Sequence, residues 1–421
     1  MEHDAGIDVS LECSSVCVVD GNGKIVRETK VASEPAALIG WLSSLGFGLG
    51  RIGLEAGPLS QWLYMAMKQA GLAVELLETR HVRDAFKAMP VKSDRNDARG
   101  IAQLMRLGWF RPVHCKSMAA QEVRAVLTAR KLVQSRLLDV ENSLRGILRG
   151  FGLKVGKTTR TNFSGRIREL VKDHLNLKTI GEALLSVRAV LLGEFNAFEK
   201  QVRAMSRLNA NARLLMSTPG VGQIVALTYD SAIDAPARFR SSKRAAPLVG
   251  LTPKKYQSGE TDRSGRISKI GDAAVRAALY EAAHIMLTKP IKGCPRLKSW
   301  AMRIARRAGM NKAKLALARK LAVILHRMLV TATPFNDAAA AACSGGATQF
   351  SGEVTTPVLP EAKSLAGTRD QVRPPRESST PSQDAITPTA DWPTYPLRTP
   401  SGDGLVPIPD RSTSPASGSR K

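Results

Sequence analysis

Ala5-Gly6-Ile7-Asp8-Val9 is a short run of small and apolar residues that contains a single carboxylate. A run of this kind, bounded by polar residues, predicts a buried strand. Ser14 to Val19 predicts a second strand, and the turn signal Asp20-Gly21-Asn22-Gly23 leads into a third, from Lys24 to Lys30. The chain is therefore predicted to begin with three antiparallel strands, with Asp8 on a central one.

Helices and strands then alternate up to about residue 112. The pattern predicts helices over Pro35 to Leu45, Ser60 to Ala70 and Asp97 to Leu107, and strands over Arg51 to Glu55 and Ala73 to Leu77. Antiparallel strands followed by alternating elements suit a mixed sheet covered by helices. Residues 1–112 are therefore predicted to be an α/β domain.

The rest of the chain divides into three further segments. Apolar residues at three-four spacing from Val123 to Ile147, and again from Leu184 to Met205, predict two long helices in a coiled-coil-like hairpin within residues 113–208. Residues 209–332 are predicted to be mainly helical. Residues 333–421 are rich in Pro, Ser, Thr and Gly, which predicts a disordered tail because such a segment buries too little apolar surface.

The charge balance points to a polyanionic partner. The net charge is +26 and the sequence pI is near 10.3. Residues 336–421 carry eight Lys/Arg and nine Asp/Glu, so the excess lies on the predicted folded body. Nucleic acid is the partner that this pattern favours, against the alternative of a generic basic protein.

The cysteines and the apolar runs indicate the cellular compartment of the chain. Its five cysteines are scattered and form no Cys-x-x-Cys pair, which argues against a zinc site and favours free thiols in a reducing cytosol. No apolar stretch reaches the length of a membrane span, and no secretory signal is evident at the start. We therefore expect a cytoplasmic protein with no membrane partner.

Four carboxylates occupy positions that suit a metal site: Asp8, Glu55, Asp94 and Asp97. Asp8 lies on the predicted central strand and Glu55 ends a neighbouring one. Asp94 and Asp97 lie three apart at the start of a predicted helix, which places both on one helix face. Carboxylates crowded together repel one another, and Mg²⁺ or Mn²⁺ relieves that repulsion. For each residue alone, a strand-end or helix N-cap role is the competing interpretation.

A second group of chemically relevant residues lies between Gly250 and Gly271, in a predicted loop. Two Ser-Gly pairs, at Ser258 and Ser264, are surrounded by five cations that are candidate nucleic-acid contacts: Lys254, Lys255, Arg263, Arg266 and Lys269. A serine near cations is either an activated nucleophile or part of a turn at a phosphate-binding surface. Three cations of the first long helix, Arg124, Arg130 and Lys131, are either phosphate contacts or part of a solvated face.

The body of the chain resembles the DEDD-type insertion-sequence transposases, which are RNA-guided serine recombinases with a RuvC-like domain. The matching motifs lie in order along the chain: Gly6-Ile7-Asp8-Val9-Ser10, Leu54-Glu55-Ala56, Lys92-Ser93-Asp94-Arg95-Asn96-Asp97-Ala98, Pro219-Gly220-Val221-Gly222, and Gly250-Leu251-Thr252-Pro253 continuing through Ser258-Gly259 to Gly271. Ser93 stands where the family often has threonine. The Pro-rich tail lies outside the resemblance.

The resemblance implies a fold, a reaction and partners. It implies a ribonuclease-H/RuvC-like domain at 1–112 whose divalent metal is held by Asp8, Glu55, Asp94 and Asp97. It implies a C-terminal transposase domain at 209–332 whose nucleophile is Ser258, with Ser264 as the competitor. A serine of this kind holds a cut DNA strand as a phosphoserine and passes it to a new partner strand. The implied partners are DNA at element ends and target, a structured guide RNA, and further copies of the chain, as dimers that assemble into a tetramer.

Two other functions remain open at this point. In a metal-dependent junction-resolving nuclease, the carboxylates would activate water and Ser258 would be only a turn residue. In a nucleic-acid-binding protein without catalytic activity, the carboxylates would be dispensable.

Overall fold

The computed structural model describes residues 2–89 and 91–342. Its first part is a five-stranded sheet with the strands β1 (His3–Asp8), β2 (Cys13–Val19), β3 (Ile25–Ala32), β4 (Leu49–Glu55) and β5 (Val74–Leu77). The spatial order is β3-β2-β1-β4-β5; β1 to β3 are antiparallel, and β4 and β5 run parallel to β1. The predicted mixed sheet is confirmed, with β1 at its centre.

Helices cover both faces of this sheet. They are α1 (Pro35–Ser43), α2 (Ser60–Gln69), α3 (Thr79–Ala85) and α4 (Asp94–Leu107). Buried side chains of α1 and α2, such as Leu38 and Leu63, pack on Ile7 and Leu54 of the central strands. Helix α4 packs on the opposite face. The sequence did not indicate α3, and α4 begins at Asp94, three residues earlier than predicted, because Ser93 is its N-cap and accepts a bond from the Asn96 amide.

A helical hairpin follows the sheet. It consists of α5 (Met118–Gly150), α6 (Phe163–Val171) and α7 (Leu175–Leu208). The two predicted long helices are confirmed as α5 and α7, which pack along each other. Helix α6 lies in the predicted break and buries Phe163, Ile167 and Val171 against Leu144 and Leu185 of the long helices.

The third part is mainly helical, as predicted. Its elements are α8 (Ala210–Met216), α9 (Gln223–Ile233), α10 (Ala245–Leu248), β6 (Pro253–Ser258), β7 (Thr261–Ile267), α11 (Ala273–Thr288), α12 (Pro295–Ala308), α13 (Met310–Thr331) and α14 (Asp337–Ala342). Helices α9, α11 and α13 share a core in which Tyr229, Leu279 and Leu321 are buried. The predicted loop around Ser258 is a β-hairpin instead, because residues 253–258 and 261–267 pair through their backbones.

The start of the predicted disordered tail is also ordered. Residues 337–342 form α14, and the Asp337 carboxylate accepts the backbone N–H groups of Arg296 and Leu297 at 2.8 and 3.1 Å, which caps α12. The remainder of that predicted tail, 343–421, lies outside the described residues.

One side chain joins the three parts. The carboxylate of Asp234, at the end of α9, accepts a bond from the Ser117 hydroxyl at 2.6 Å and from the Ser117 amide at 2.9 Å, and lies 2.7 Å from His114 Nε2. Ser117 is the N-cap of α5, and His114 belongs to the segment that leaves the sheet. Asp234 therefore fixes the exit from the sheet against the C-terminal helices. None of the helices among the described residues is long and apolar enough to cross a bilayer.

Candidate active site

Two glycines bring α4 against the sheet edge that carries the carboxylates. Gly6 of β1 and Gly53 of β4 are direct neighbours in the parallel register. A Cβ at Gly6 would lie 2.3 Å from the backbone of α4, and one at Gly53 would lie 2.7 Å from Ile101 and Met105. Because side chains alternate along a strand, Asp8 and Glu55, two residues further on, point to the same face as these glycines. The close approach of α4 therefore brings its first turn over both strand ends.

The four predicted metal ligands interact electrostatically at this edge. Burial, together with the charges of Asp97 and Asp94, raises the pKa of Asp8 to about 6. The pKa of Glu55 is also raised, first by burial and then by the charges of Asp8 and Asp97. The structure thus places all four carboxylates in one neighbourhood, although they come from residues almost ninety positions apart.

The N-cap interpretation of Asp94 is wrong. Ser93 is the N-cap of α4, and Asp94 is its first helical residue, with an exposed side chain. A carboxylate in the first turn is stabilised by the helix dipole. Asp94 and Asp97 are the acidic residues of that turn. Both carboxylates contribute to the raised pKa of Asp8.

The donor chemistry of this site fits a divalent cation. Carboxylate oxygens are hard ligands, and a cation would lower the raised pKa values of Asp8 and Glu55. Within residues 2–89 and 91–342, no three His, Cys, Asp or Glu side chains are gathered closely enough to enclose an ion as they stand.

Sequence reasoning missed two residues beside the carboxylates. The charge of Lys92 lowers the pKa values of Asp8 and Glu55, although less than burial raises them. Thr79, the first residue of α3, donates from its hydroxyl to the Ala56 carbonyl at 2.9 Å, and its proximity lowers the pKa of Glu55, although less than burial raises it. The signal for Thr79 was its position just beyond the end of β5, at the same sheet edge.

Two clefts open from this edge. One, of about 360 Å³, is lined by Asp8, Ser10, Glu55 and Pro58. The other, of about 430 Å³, lies between Ala56 and Thr79 of the sheet domain and Ile270 and Gly271 of the C-terminal part. The second cleft therefore separates the residues that follow β4 and β5 from the base of the serine hairpin, and its lining includes none of the four carboxylates.

The base of the hairpin is tightly closed. A Cβ at Gly250 would lie 2.1 Å from the Ile270 carbonyl oxygen, and one at Gly271 would lie 1.9 Å from the Leu248 carbonyl oxygen. Both glycines have positive φ, +65° and +100°, which other residues rarely adopt. The hairpin therefore projects from a fixed base, and every residue of β6 is exposed.

The hairpin register separates the two candidate serines. Ser258 pairs with Thr261 next to the two-residue turn, and Tyr256 pairs with Arg263, so these four side chains share one face. Ser264 pairs with Lys255 on the other face. Sequence reasoning could not assign the faces, because it predicted a loop.

The cations of the two faces differ in their partners. Lys255, on the Ser264 face, lies 3.1 Å from Asp262 and is partly neutralised. Arg263, on the Ser258 face, has no carboxylate within ion-pair distance among the described residues. The Ser258 face is therefore the more electropositive of the two. Lys254 and Arg266 lie closer to the hairpin base, and Lys269 follows β7 with a positive φ of 55°.

Two of the three candidate contacts on α5 already have carboxylate partners. Arg124 lies 2.7 Å from Asp272, the N-cap of α11, and Arg130 is paired with Glu199 of α7. Lys131 is exposed. The structure therefore gives Arg124 and Arg130 roles in packing, and their role in nucleic-acid binding stays a prediction.

Two separate segments of the described chain match models of known protein families. Residues 5–152 match the DEDD-type model described as "Transposase", and residues 212–312 match the model described as "Transposase IS116/IS110/IS902 family". The transposase for insertion sequence element IS1111A of Coxiella burnetii is 28% identical over 330 residues, covering 77% of this chain and 88% of that protein. A probable family 20 transposase of Pseudomonas aeruginosa is 26% identical over 284 residues, covering 66% and 83%.

Among solved structures, Thermus RuvC in complex with a Holliday junction substrate ("T. thermophilus RuvC") is matched at 16% identity. The match covers 27% of this chain and 100% of that chain, with a TM-score of 0.22. A likeness of this strength adds nothing to the strand order already described.

Proposed function

We propose that this chain, whose residues 5–152 and 212–312 match models of IS110-type transposases, cuts and rejoins DNA through a phosphoserine on Ser258. Transposition by the family is DNA cleavage and strand transfer. The observation that carries the proposal is the convergence of Asp8, Glu55, Asp94 and Asp97 at one sheet edge, beside the cleft that reaches the base of the serine hairpin.

The proposed reaction conserves phosphodiester bonds. The Ser258 Oγ loses its proton and attacks phosphorus, a serine–phosphate bond forms, and the bond to the leaving deoxyribose oxygen breaks as that oxygen takes up a proton. A hydroxyl of the other strand then attacks the phosphoserine and releases the serine. The energy of the broken bond is kept in the intermediate, so rejoining needs no external high-energy compound.

In this proposal, the carboxylates bind metal and the cations of the hairpin bind phosphate groups. Asp8, Glu55, Asp94 and Asp97 would hold Mg²⁺ or Mn²⁺, which stabilises negative charge on the attacked phosphate and favours the serine alkoxide. Arg263 shares the Ser258 face, which supports a contact between its guanidinium and the phosphate. Lys254, Lys255, Arg266 and Lys269 would bind the flanking backbone.

Ser258 lacks its own activating group, which supports a site shared between copies of the chain. Its face is exposed, and no described residue hydrogen-bonds to its hydroxyl. A serine hydroxyl is weakly nucleophilic without a base or cation beside it. We infer that the carboxylates of one copy act on the Ser258 of another in a dimer or tetramer.

We also propose that a structured RNA from the element selects the DNA sites by base pairing. The support is the resemblance to RNA-guided members together with a basic body, since such surfaces bind backbone and shape more than base edges. In this proposal residues 1–112, 113–208 and 209–332 are the metal domain, the helical spacer and the serine domain.

Hydrolysis is the second candidate function. It is favoured by one observation: the carboxylates lie in one chain, whereas Ser258 contacts none of the described residues through its hydroxyl. In that case the carboxylates would activate water, and cut strands would leave as free ends.

The two functions differ in whether DNA becomes attached to protein. Full-length protein is incubated with its element-end DNA, target DNA, Mg²⁺ and the element's RNA, and protein–DNA adducts are trapped by denaturation. We expect adducts and joined strands from the wild type and Ser264→Ala, and neither from Ser258→Ala. Normal joining by Ser258→Ala would disprove the nucleophile. Cut but unattached strands from the wild type would favour hydrolysis.

A further inference from the structure

The helical hairpin carries a cleft that the proposed chemistry does not use. It has a volume of about 540 Å³ and lies between α5, α7 and the loop that precedes α6. Its lining includes Arg130 of α5, Arg160 of the loop, and Phe195, Lys200 and Arg203 of α7. The cleft is therefore built from three separate segments of the chain.

Phe195 organises the arginines of this cleft. The guanidinium carbons of Arg130 and Arg160 lie 5.0 and 5.2 Å from the centroid of its ring. Phe195 is only 7% exposed, so its ring is a fixed floor. Stacking on an aromatic ring holds a guanidinium in a defined plane and leaves its N–H groups available at the edge.

The loop that carries Arg160 is anchored from below by a buried arginine. Arg188 of α7, 3% exposed, donates to the Arg160 carbonyl at 2.9 Å and to the Glu141 carboxylate at 2.8 Å. It also lies over the Phe163 ring, at 4.8 Å. A buried charge with such partners fixes the surrounding backbone, so Arg160 is held over the cleft before any ligand binds.

The cleft has an excess of positive charge. Glu199 is the carboxylate of the lining, and it is paired with Arg130. Arg160, Lys200 and Arg203 have no carboxylate within ion-pair distance in the part of the chain that the structure describes. Elsewhere on the same hairpin, arginines are neutralised, for example Arg168 by Glu182 at 2.8 Å. Three uncompensated cations around one concave site favour an anion.

We propose that this cleft binds the phosphodiester backbone of a nucleic acid, with Arg160, Lys200 and Arg203 as the phosphate contacts. Arginine matches phosphate oxygens with paired N–H donors, and lysine adds a point charge. Arg130 and Phe195 position the site. The inference rests on the proposed function only in taking the anion to be nucleic acid. It adds a contact on the helical spacer, away from the carboxylates and Ser258.

The salt dependence of binding tests the site. Full-length wild type, Arg160→Ala, Lys200→Ala and Arg203→Ala are titrated against a fluorescein-labelled RNA hairpin with single-stranded flanks, and against duplex DNA, at several KCl concentrations. Each lost phosphate contact lowers the slope of log K against log salt by about 0.7 for single strands or about 0.9 for duplex DNA. The matched control is Lys178→Ala, an exposed lysine of α7 outside the cleft.

We expect the three cleft variants to show a smaller magnitude of the slope of log K against log salt. The control should keep the wild-type slope, and Arg160→Lys should lie close to it. Loss of slope with the RNA probe alone assigns the cleft to RNA, and loss with both probes assigns it to backbone in general. Slopes equal to that of Lys178→Ala would overturn the proposal. So would a change in oligomeric state by sedimentation without a change in slope, since the cleft would then be an interface between copies.

The adduct assay on the wild type, set beside the salt slopes of the cleft variants, separates this proposal from the proposed chemistry. If the wild type forms no protein–DNA adduct but the cleft variants still lose slope, the phosphoserine is wrong and the cleft stands. If adducts form and all slopes are unchanged, the cleft is wrong and the chemistry stands.

Discussion

Asp8 and Glu28 lie two strands apart in the same sheet, yet their pKa values shift in opposite directions. That of Asp8 rises to about 6 through burial and the neighbouring carboxylates, whereas that of Glu28 falls to about 2 through its bonds to Arg99 and Arg95. Helix α4 supplies both environments, with Asp94 and Asp97 toward Asp8 and the two arginines toward Glu28. The helix thus keeps its cations away from the carboxylates that are proposed to hold a metal.

The raised pKa of Asp8 predicts that its charge destabilises the metal-free fold. A raised carboxyl pKa means that the penalty is present above about pH 6 and fades as the pH falls toward the ordinary value near 3.8, where the folded and unfolded states are both protonated. In EDTA at pH 7.5, Asp8→Asn should stabilise the protein by about 1 kcal/mol after allowance for partial exposure. That corresponds to roughly 2–4 °C in thermal unfolding.

Asp173→Asn, an exposed carboxylate on the helical hairpin, is the charge-matched control and should shift the melting temperature little. Added Mg²⁺ should stabilise the wild type more than Asp8→Asn. If Asp8→Asn lowers the melting temperature in EDTA at pH 7.5, the carboxylates do not repel one another as described.

Glu28 predicts the opposite response. Its carboxylate bonds to Arg95 and Arg99, and its lowered pKa means that the stabilisation is present above about pH 4.5 and is lost as the pH falls through about 2. Glu28→Gln should cost about 2 kcal/mol at pH 7, the scale of charge-assisted hydrogen bonds. Urea unfolding at pH 7 and near pH 2.5 measures this: the gap between variant and wild type should shrink at the lower pH. A gap that grows on acidification would contradict the assignment.

At the level of single residues, the sequence suggested which side chains are candidate site residues, but it did not show which residues surround them. Asp8, Glu55, Asp94 and Asp97 could be chosen because strand ends and a helix start leave local signals. The partners of Arg124 and Arg130 could not be predicted from the sequence. Asp272 and Glu199 are distant in the chain and contact these arginines only once the helices have packed. Which face of the hairpin carries Ser258 and which carries Ser264 could be assigned only from the strand register.

Among the elements, the packing of α4 on β1 and β4 depends on two glycines. Gly6→Ala would place a Cβ 2.3 Å from the α4 backbone, which cannot move aside without shifting the helix, so we expect a loss of at least about 3 kcal/mol. Gly53→Ala meets the flexible side chains of Ile101 and Met105 and should cost less. Urea unfolding of both variants gives the comparison.

Gly146→Ala is the control for these substitutions. Gly146 lies within α5, where an added Cβ meets nothing within 4 Å. Alanine there should stabilise the protein by about 0.5–1 kcal/mol, because glycine is a poor helix residue. If Gly6→Ala unfolds no more easily than Gly53→Ala, the contact between β1 and α4 is looser than the structure describes.

Periodicity predicted the elements that bury one face and failed for those that do not. The long helices α5 and α7 carry sustained three-four apolar spacing and were found from it. The hairpin of β6 and β7 is almost entirely exposed, so its residues carry no alternation of apolar and polar types and were predicted to be a loop. Helix α14 was assigned to the tail because composition shifts at the same point, and it is held by the Asp337 cap on α12 and by the burial of Ala340.

For the whole molecule, charge and connectivity act together. Asp234 ties the sheet domain to the C-terminal helices, and the cleft between them lies between Ala56, next to Glu55, and the hairpin base at Ile270 and Gly271. Composition predicted a nucleic-acid partner but could not show that the cations are unevenly compensated. The Ser258 face and the cleft at Phe195 keep uncompensated cations, whereas carboxylates pair two arginines of α4 and three of α5.

This distribution of charge predicts that nucleic-acid binding weakens steeply with salt, with contributions only from the cations that have no carboxylate partner. Duplex DNA binding should weaken with salt with a slope of about −0.9 per neutralised phosphate. Arg263→Ala should reduce that slope by about one contact, because its guanidinium has no carboxylate partner among the described residues. Arg168→Ala removes the same charge, but its guanidinium is paired with Glu182 and its slope should be nearly unchanged. Anisotropy titrations over a range of KCl concentrations give both values. Equal slopes for the two variants would mean that total charge, rather than unpaired charge, determines binding.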